Sequence, residues 1–372
     1  MTRTVSLIQL GIGHVGAAVV ELVVKRAARW RDDYDIAVRY AVLADSTAMV
    51  AAPEGELDGP LAPALAGALE RRHAGLPLAS FPDAVAWDNT DAVLEGTLAR
   101  AAAPEDVVVL DCATGERTTP LLLVARAAGA SIVLANKDPL AGPLERFRAL
   151  VGGAGRGSLR LSATVGAGLP IAATLAALIA SGDTLLALDA RASGSLGFLC
   201  DRLSAGARFD AALREAMARG YTEPDPRQDL SGFDVARKLL ILARLAGGDA
   251  ELADVHVESL APPGAETLER DTFLARLPRY ADHLAERAEA ARAHGRVLRY
   301  VGRIDERGAP RAELVDLPAD APLARGGGPE NVFVLRTARY DTTPLTISGP
   351  GAGVSVTSGA VVADLLRALG VA

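Results

Sequence analysis

The first sixteen residues constrain the chain more than any other stretch. An apolar run, Val5–Leu10, leads directly into Gly11-Ile-Gly-His-Val-Gly16, and a helical pattern then continues to about Trp30. In a strand–turn–helix unit the first glycine makes the tight turn and the second lets the backbone approach a pyrophosphate. The third lets helix and strand pack closely. The helix N-terminus adds unpaired N–H groups and a partial positive charge for the phosphates. Three glycines alone say little in a chain with 37 of them. Between a strand and a helix they read as a dinucleotide loop, with Gly11, Gly13, His14, Val15 and Gly16 as its cofactor-binding residues. Asp45, at the end of a second apolar strand Ile36–Ala44, is placed to accept hydrogen bonds from the adenosine ribose. No Lys or Arg follows it until Arg71, so NAD is expected over NADP.

The alternation continues. A strand at Asp106–Leu110, a helix at Thr119–Ala128 and a strand at Ser131–Ala135 follow an irregular excursion at 52–85 that holds one short helix. Strands alternating with helices predict a doubly wound parallel sheet of the Rossmann type, an α/β domain. After a glycine-rich turn, Gly152–Gly157, the rhythm changes. An apolar helix follows Ser162–Pro170, a strand spans Thr184–Ala192, and helices span Phe209–Arg219 and about Asp234–Leu245. Strands at Arg296–Ile304, Arg311–Leu317, Asn331–Arg336 and Pro344–Ile347 come next. Such strand runs joined by long helices predict an α+β domain with a mixed sheet. With 372 residues, two domains are expected, at roughly 150 residues each. Their predicted bounds are 1–155, completed by a glycine turn and helix at 345–372, and 156–344.

Composition removes several classes. The net charge is −7 without a basic block, which argues against nucleic acid or an anionic membrane as partner. The longest apolar run, Leu169–Ala180, is short of the roughly 20 residues that span a bilayer. The chain starts without a signal-peptide layout, and two cysteines make neither a disulfide framework nor a zinc site. A cytoplasmic protein is expected.

One count points at chemistry. Of the 39 basic residues only Lys25, Lys137 and Lys238 are lysines. Arginine does not release its proton in a protein, whereas lysine does when its pKa is lowered. Lys25 lies in an amphipathic helix and reads as a surface residue, which leaves Lys137 and Lys238 as candidates for proton transfer. Lys238 follows Gly220-Tyr-Thr-Glu-Pro-Asp-Pro-Arg-Gln-Asp-Leu-Ser-Gly-Phe-Asp234, where Glu223, Asp225, Asp229 and Asp234 are stiffened by two prolines. Asp234 and Lys238 share a helix face. An exposed pair of this kind is worth about 0.3–0.5 kcal/mol. The residues that follow are Leu-Leu-Ile-Leu-Ala, however, and a charge pair carried into an apolar helix calls for a functional reason. Glu223 or Asp229 fits a substrate ammonium, Asp234 a substrate hydroxyl or the lysine itself, and Lys238 the proton that moves as hydride passes to a nicotinamide.

These pieces resemble homoserine dehydrogenases over nearly the whole chain. The matching segments are Gly11–Gly16, Ala135-Asn-Lys137, Ala163–Pro170, Ser193-Gly-Ser-Leu196, Gly220–Lys238 and Gly349-Pro-Gly-Ala-Gly353. The resemblance implies interconversion of L-homoserine and L-aspartate 4-semialdehyde with NAD or NADP, on the route to threonine and methionine. It implies Lys238 as the proton-transferring lysine and Lys137 as a second lysine beside the nicotinamide. Glu223 and Asp234 become homoserine ligands, with Tyr221, Asp229, Gly194 and Ser195 lining the site. Ala113, Gly353 and Thr357 fall at the cofactor. The first domain then binds the dinucleotide, and the second binds substrate and joins a homodimer through its sheet. A short form without an appended regulatory domain is also implied. Ser162 stands where the family carries a glutamate that helps hold a monovalent cation together with carbonyls at Val165, Ala167 and Leu169, so no metal is assigned. The 197–200 segment also departs from the family pattern. Two rivals follow from these readings: a homologue acting on a related amino-acid semialdehyde, and a non-catalytic NAD-binding protein.

Overall fold

The computed structural model describes residues 2–53, 59–87, 90–152, 157–325, 327 and 329–371. The chain divides into two compact units, Met1–Gly168 with Gly353–Ala372, and Leu169–Ala352.

In the first unit, β1 (Arg3–Leu10), β2 (Ile36–Ala44), β3 (Met49–Ala51), β4 (Val107–Asp111), β5 (Ser131–Leu134) and β6 (Leu159–Arg160) form one sheet. Its order is β3-β2-β1-β4-β5-β6. All pairs are parallel except the edge pair of β2 with β3. Strands β4 and β5 are buried at every residue, as expected of strands covered on both faces. That is why they read in sequence as unbroken apolar runs. The helix His14–Tyr34 follows β1 and stops where Asp35 turns left-handed, with φ 56°. The last helix, Val354–Ala368, returns to this unit. Its Val361 and Leu365, with Leu369, share a core with Val19, Val20 and Val23 of the first helix.

The sequence reading drew the domain limits at 155/156 and 344/345, whereas the units part after Gly168 and after Ala352. The physical reason is pairing: β6 extends the first sheet beside β5, and the turn Ser162–Thr164 is tied to the last helix through Asp364. Residues 153–156 of the predicted glycine turn lie outside the described residues.

The second unit holds β7 (Leu185–Arg191), β8 (His256–Val257), β9 (Arg296–Ile304), β10 (Pro310–Pro318), β11 (Glu330–Thr337) and β12 (Leu345–Pro350). Their order is β12-β11-β7-β9-β10-β8. All pairs are antiparallel except β8 with β10, so the sheet is mixed. The helix Phe233–Leu245 buries Leu239, Leu240, Ile241 and Leu242. It lies close on this sheet because β9 offers Gly302, where a Cβ would meet the Leu239 side chain at 2.9 Å. Its entry depends on Gly232, with φ 76°, where a Cβ would fall 2.0 Å from the Tyr300 hydroxyl. That hydroxyl donates to the Glu258 carbonyl at 2.7 Å, so no residue with a side chain fits there.

Several helices went unread in the sequence, among them Thr90–Arg100, Leu144–Val151, Gly194–Ser204, Arg270–Arg276 and Ala285–Ala293. The one at Gly194 opens on Gly-Ser-Leu-Gly, where two glycines lower the helix preference. Ser193 starts it by accepting the Leu196 N–H on its hydroxyl at 3.2 Å, an N-cap that frees the first turn from dependence on propensity.

Candidate functional site

Each unit carries its own group of candidate side chains. In the first, the glycine loop is built as the spacing predicts. Gly11 has φ 86°, and a Cβ there would meet Ala113 N at 2.5 Å. A Cβ on Gly16 would meet the Gly11 carbonyl at 2.0 Å, whereas Gly13 has nothing within 4 Å. Gly11 and Gly16 are therefore demanded by protein packing, and Gly13 faces open space. His14 is exposed and Val15 packs on the core. Sequence reasoning missed the buried pair beneath the loop. Gln9 donates its amide to the Gly16 carbonyl at 2.7 Å and accepts the Tyr40 hydroxyl at 2.9 Å, which fixes the turn from inside the sheet.

Asp45 differs from its expected setting. It is 6% exposed. One oxygen accepts the Thr47 N–H at 2.7 Å, the Thr47 hydroxyl at 2.6 Å and the Ala48 N–H at 3.0 Å. The other accepts the Leu78 N–H at 2.9 Å. Burial alone would raise its pKa, but these bonds hold it below the usual carboxylate value. The carboxylate thus orders the turn after β2. Two arginines that the sequence did not connect with it are close by. Arg72 Nε lies 3.8 Å from Asp45. Arg117 donates to the Ser46 carbonyl at 2.6 Å and sits 5.2 Å over the Trp87 ring.

Lys137 is half-buried and begins the turn Asp138–Ala141. Its neighbours are fastened on both sides. Asn136 donates to Asp111 Oδ2 at 3.1 Å and to the Gly115 carbonyl at 2.8 Å. The Asn136 oxygen accepts the Asp138 N–H at 3.1 Å, and the Asp138 carboxylate accepts the Gly115 N–H at 2.7 Å. Asp111, fully buried at the end of β4, also accepts the Thr118 hydroxyl at 2.7 Å and the Ala113 N–H at 3.0 Å. Burial pushes its carboxyl up to about 6 against those hydrogen bonds. A carboxylate closing an all-apolar strand was the one sequence signal for this network. Gly353, with φ 129°, precedes the last helix, and the Thr357 hydroxyl donates back to its carbonyl at 2.9 Å.

In the second unit, Lys238 is brought to Asp234 as predicted. Its side chain is 12% exposed, and Nζ lies 2.7 Å from Asp234 Oδ2 and 2.7 Å from the Ala192 carbonyl. Asp229 is joined to Ser195, whose hydroxyl donates to Oδ1 at 2.7 Å. Oδ2 accepts the backbone N–H of Glu223 at 2.8 Å. Burial pushes the Asp229 carboxyl above its ordinary value, against the Ser195 and Glu223 bonds, with the Asp234 charge adding to the rise. Glu223 itself is exposed. Tyr221 stacks edge-on against Phe198 at 5.2 Å, and Gly194 packs closely enough that its Cβ would meet Pro329 at 3.1 Å. Asp225 leaves the acidic group: it caps the helix Pro226–Leu230 and pairs with Arg227 at 2.6 Å.

At Ser162, the N–H and the hydroxyl donate to Asp364 at 2.7 and 2.9 Å. Arg367 neutralises that carboxylate from 3.0 Å. This corner is filled by donors and a guanidinium, which does not fit a cation. Among the described residues no three His, Cys, Asp or Glu side chains cluster as metal ligands, and no helix is long and apolar enough to cross a membrane.

Comparison with known proteins decides the family. The sequence pattern of homoserine dehydrogenases matches residues 170–366. The homoserine dehydrogenase of Emericella nidulans is 37% identical over 255 residues, 65% of this chain and 69% of that one. The chain belongs to the homoserine dehydrogenase family. That family comprises NAD(P)-dependent oxidoreductases acting on a CH–OH group. The maize chloroplastic bifunctional aspartokinase/homoserine dehydrogenase 1 is 40% identical over 245 residues, 64% of this chain. The chain spans about a quarter of the length of such bifunctional relatives (26% for two maize proteins). Among solved structures, a Candida auris protein of unknown function superposes with TM-score 0.83 at 29% identity, covering 99% of each chain. A hyperthermophilic archaeal homoserine dehydrogenase in complex with NADPH superposes at 0.70 and 21% identity, covering 98% of each, and shares the fold.

The raised Asp111 pKa has a stability consequence. The folded state holds this proton to higher pH than the unfolded chain does, so the contribution is present at low pH and is lost as pH rises through about 6. Relative to Asp111→Asn, the wild-type protein should lose about 1 kcal/mol between pH 5 and pH 7, measured by urea unfolding at both values.

Proposed function

We propose that the protein interconverts L-homoserine and L-aspartate 4-semialdehyde with a nicotinamide dinucleotide, in threonine and methionine biosynthesis. The observation that carries this reading is the Lys238 ammonium, largely withdrawn from solvent and held by Asp234 and the Ala192 carbonyl, inside the stretch that matches the family. A bound nicotinamide supplies the hydride acceptor or donor. Lys238 Nζ gives a proton to the aldehyde oxygen in reduction and takes it from the hydroxyl in oxidation. Asp234 steadies that ammonium between turnovers and, with exposed Glu223, anchors the substrate. Asp229 and Ser195 order the loop that carries Glu223, and Tyr221 and Gly194 wall the site. Lys137 brings a second positive charge beside the nicotinamide, positioned by the Asn136 and Asp138 bonds to Gly115.

The first unit is assigned to the dinucleotide, through Gly11, Gly13, His14, Val15, Gly16, Ala113, Gly353 and Thr357. The second is assigned to the substrate. NAD is the proposed preference, because Asp45 stays anionic beside the ribose position and disfavours a 2′-phosphate. Arg72 and Arg117 at the same turn support NADP as the lesser alternative. No monovalent cation is proposed, on the strength of the Ser162–Asp364–Arg367 corner. A cytoplasmic homodimer through the second sheet is supported by half-buried Val315, Leu317 and Val334 around Val301 and Val332. Sedimentation should give twice the chain mass, and a monomer overturns that part.

Nicotinamide absorbance should report turnover of L-homoserine, faster with NAD than with NADP. Rates in sodium, potassium and choline chloride should be equal; a requirement for either metal ion contradicts the cation reading. Lys238→Ala should lower kcat by roughly 10²–10⁴-fold, the range for loss of a general acid–base, with the cofactor Kd unchanged. An active variant removes Lys238 from the chemistry.

A further inference from the structure

Asn331 is the one described side chain with two buried polar atoms and no partner for either, Oδ1 and Nδ2 alike. It is 1% exposed. Leaving a buried donor and acceptor unpaired is costly, so an amide kept in this state at a functional corner points to a ligand that pairs with it.

Its position follows from the sheet register. Phe333 of β11 pairs with Ala190 of β7, and Ala190 pairs with Gly302 of β9. Directly paired residues share a face, and alternate residues along a strand return to it. Gly302 faces the helix Phe233–Leu245, because its missing Cβ would meet Leu239. Asn331, two residues before Phe333, is on that face too. One step beyond the Val332–Arg191 pair, it stands opposite Ala192, whose carbonyl takes the Lys238 ammonium at 2.7 Å. Two residues earlier, Pro329 packs on Gly194, at the start of the helix whose Ser195 holds Asp229. The backbone of Gly351 lies over the amide: a Cβ there would fall 2.0 Å from Asn331 Cγ. The chain covers this amide only as glycine.

We infer that the Asn331 carboxamide binds the head group of an α-amino-acid substrate at the Lys238 corner, Nδ2 donating to its carboxylate and Oδ1 accepting from its ammonium. This inference rests on the functional reading above and extends it to the end of the substrate remote from the reacting carbon. A zwitterion is the ligand that satisfies both orphaned atoms at once. The corner's carboxylates, Glu223 and Asp234, pair with the ammonium and not with the substrate carboxylate, which needs a hydrogen-bond donor.

The test is calorimetric binding of L-homoserine to the wild-type chain, Asn331→Ala and Asn331→Asp, with NAD affinity, KM, kcat and Tm measured alongside. Asn331→Ala should weaken L-homoserine by roughly tenfold to a hundredfold, the scale of a hydrogen bond to a charged group. NAD affinity and Tm should stay as they are, because the amide makes no bond in the unliganded chain. Asn331→Asp keeps the shape, sets an anion against the substrate carboxylate, and should weaken binding further. The alcohol without a carboxylate, 3-amino-1-propanol, should lose less than L-homoserine does. Unchanged L-homoserine binding in both variants overturns the inference, as does a fall in Tm with binding per folded molecule preserved. If the wild-type chain rejects L-homoserine but binds another α-amino acid, the proposed substrate fails and the same comparison is made on that amino acid. If it binds none, both fall.

Discussion

The ammonium of Lys238 sits 2.7 Å from a carboxylate and 2.7 Å from a backbone carbonyl, and much of the second unit exists to hold it there. A charge largely withdrawn from water needs partners in good geometry to offset its desolvation. The Ala192 carbonyl is set by the end of β7. Asp234 is set by the first turn of the helix Phe233–Leu245, where a carboxylate also suits the helix dipole. The two meet because that helix lies flush on Gly302 and enters through Gly232. Two residues without side chains therefore determine where one long side chain ends.

A second device recurs in both units. Asp45, Asp111, Asp229 and Asp364 are each buried or largely so. Their oxygens accept backbone N–H groups or hydroxyls from neighbouring loops. Burial alone would favour the neutral acid, and the hydrogen bonds oppose it. The balance differs by site: the bonds prevail at Asp45, and burial prevails at Asp111 and Asp229. Each carboxylate fixes a loop that carries something else: the turn after β2, the Lys137 segment, Glu223, or the Ser162 turn. The same device thus orders loops in both units.

Much of this was legible before any coordinates. Unbroken apolar runs give the parallel strands because both faces of β4 and β5 are covered, and the glycine spacing gives the loop because two of its three glycines admit no Cβ. A chain that uses arginine almost everywhere exposed its two functional lysine candidates by their rarity. What stayed hidden depends on contacts distant in sequence. Arg117 reaches the Asp45 turn from 71 residues away, Asp364 meets Ser162 across 202, and no local pattern announces either. Asp45 reads as a ligand from its position at a strand end, and the bonds by which it also anchors the loop after β2 leave no mark in the sequence. Asn331 lay inside a segment read as an ordinary strand. Its significance comes from the absence of partners, which composition and periodicity do not record.

The first core is also discontinuous along the chain. Its sheet is laid down by the opening 168 residues, but Val361 and Leu365 of its closing helix arrive only after the whole of the other unit. During synthesis, a nascent polypeptide that has reached Ala352 already contains every strand of the second sheet. The first sheet at that moment still shows the apolar face that the last helix will cover. The earlier-made sheet must therefore wait for a helix that lies beyond the whole of the other unit.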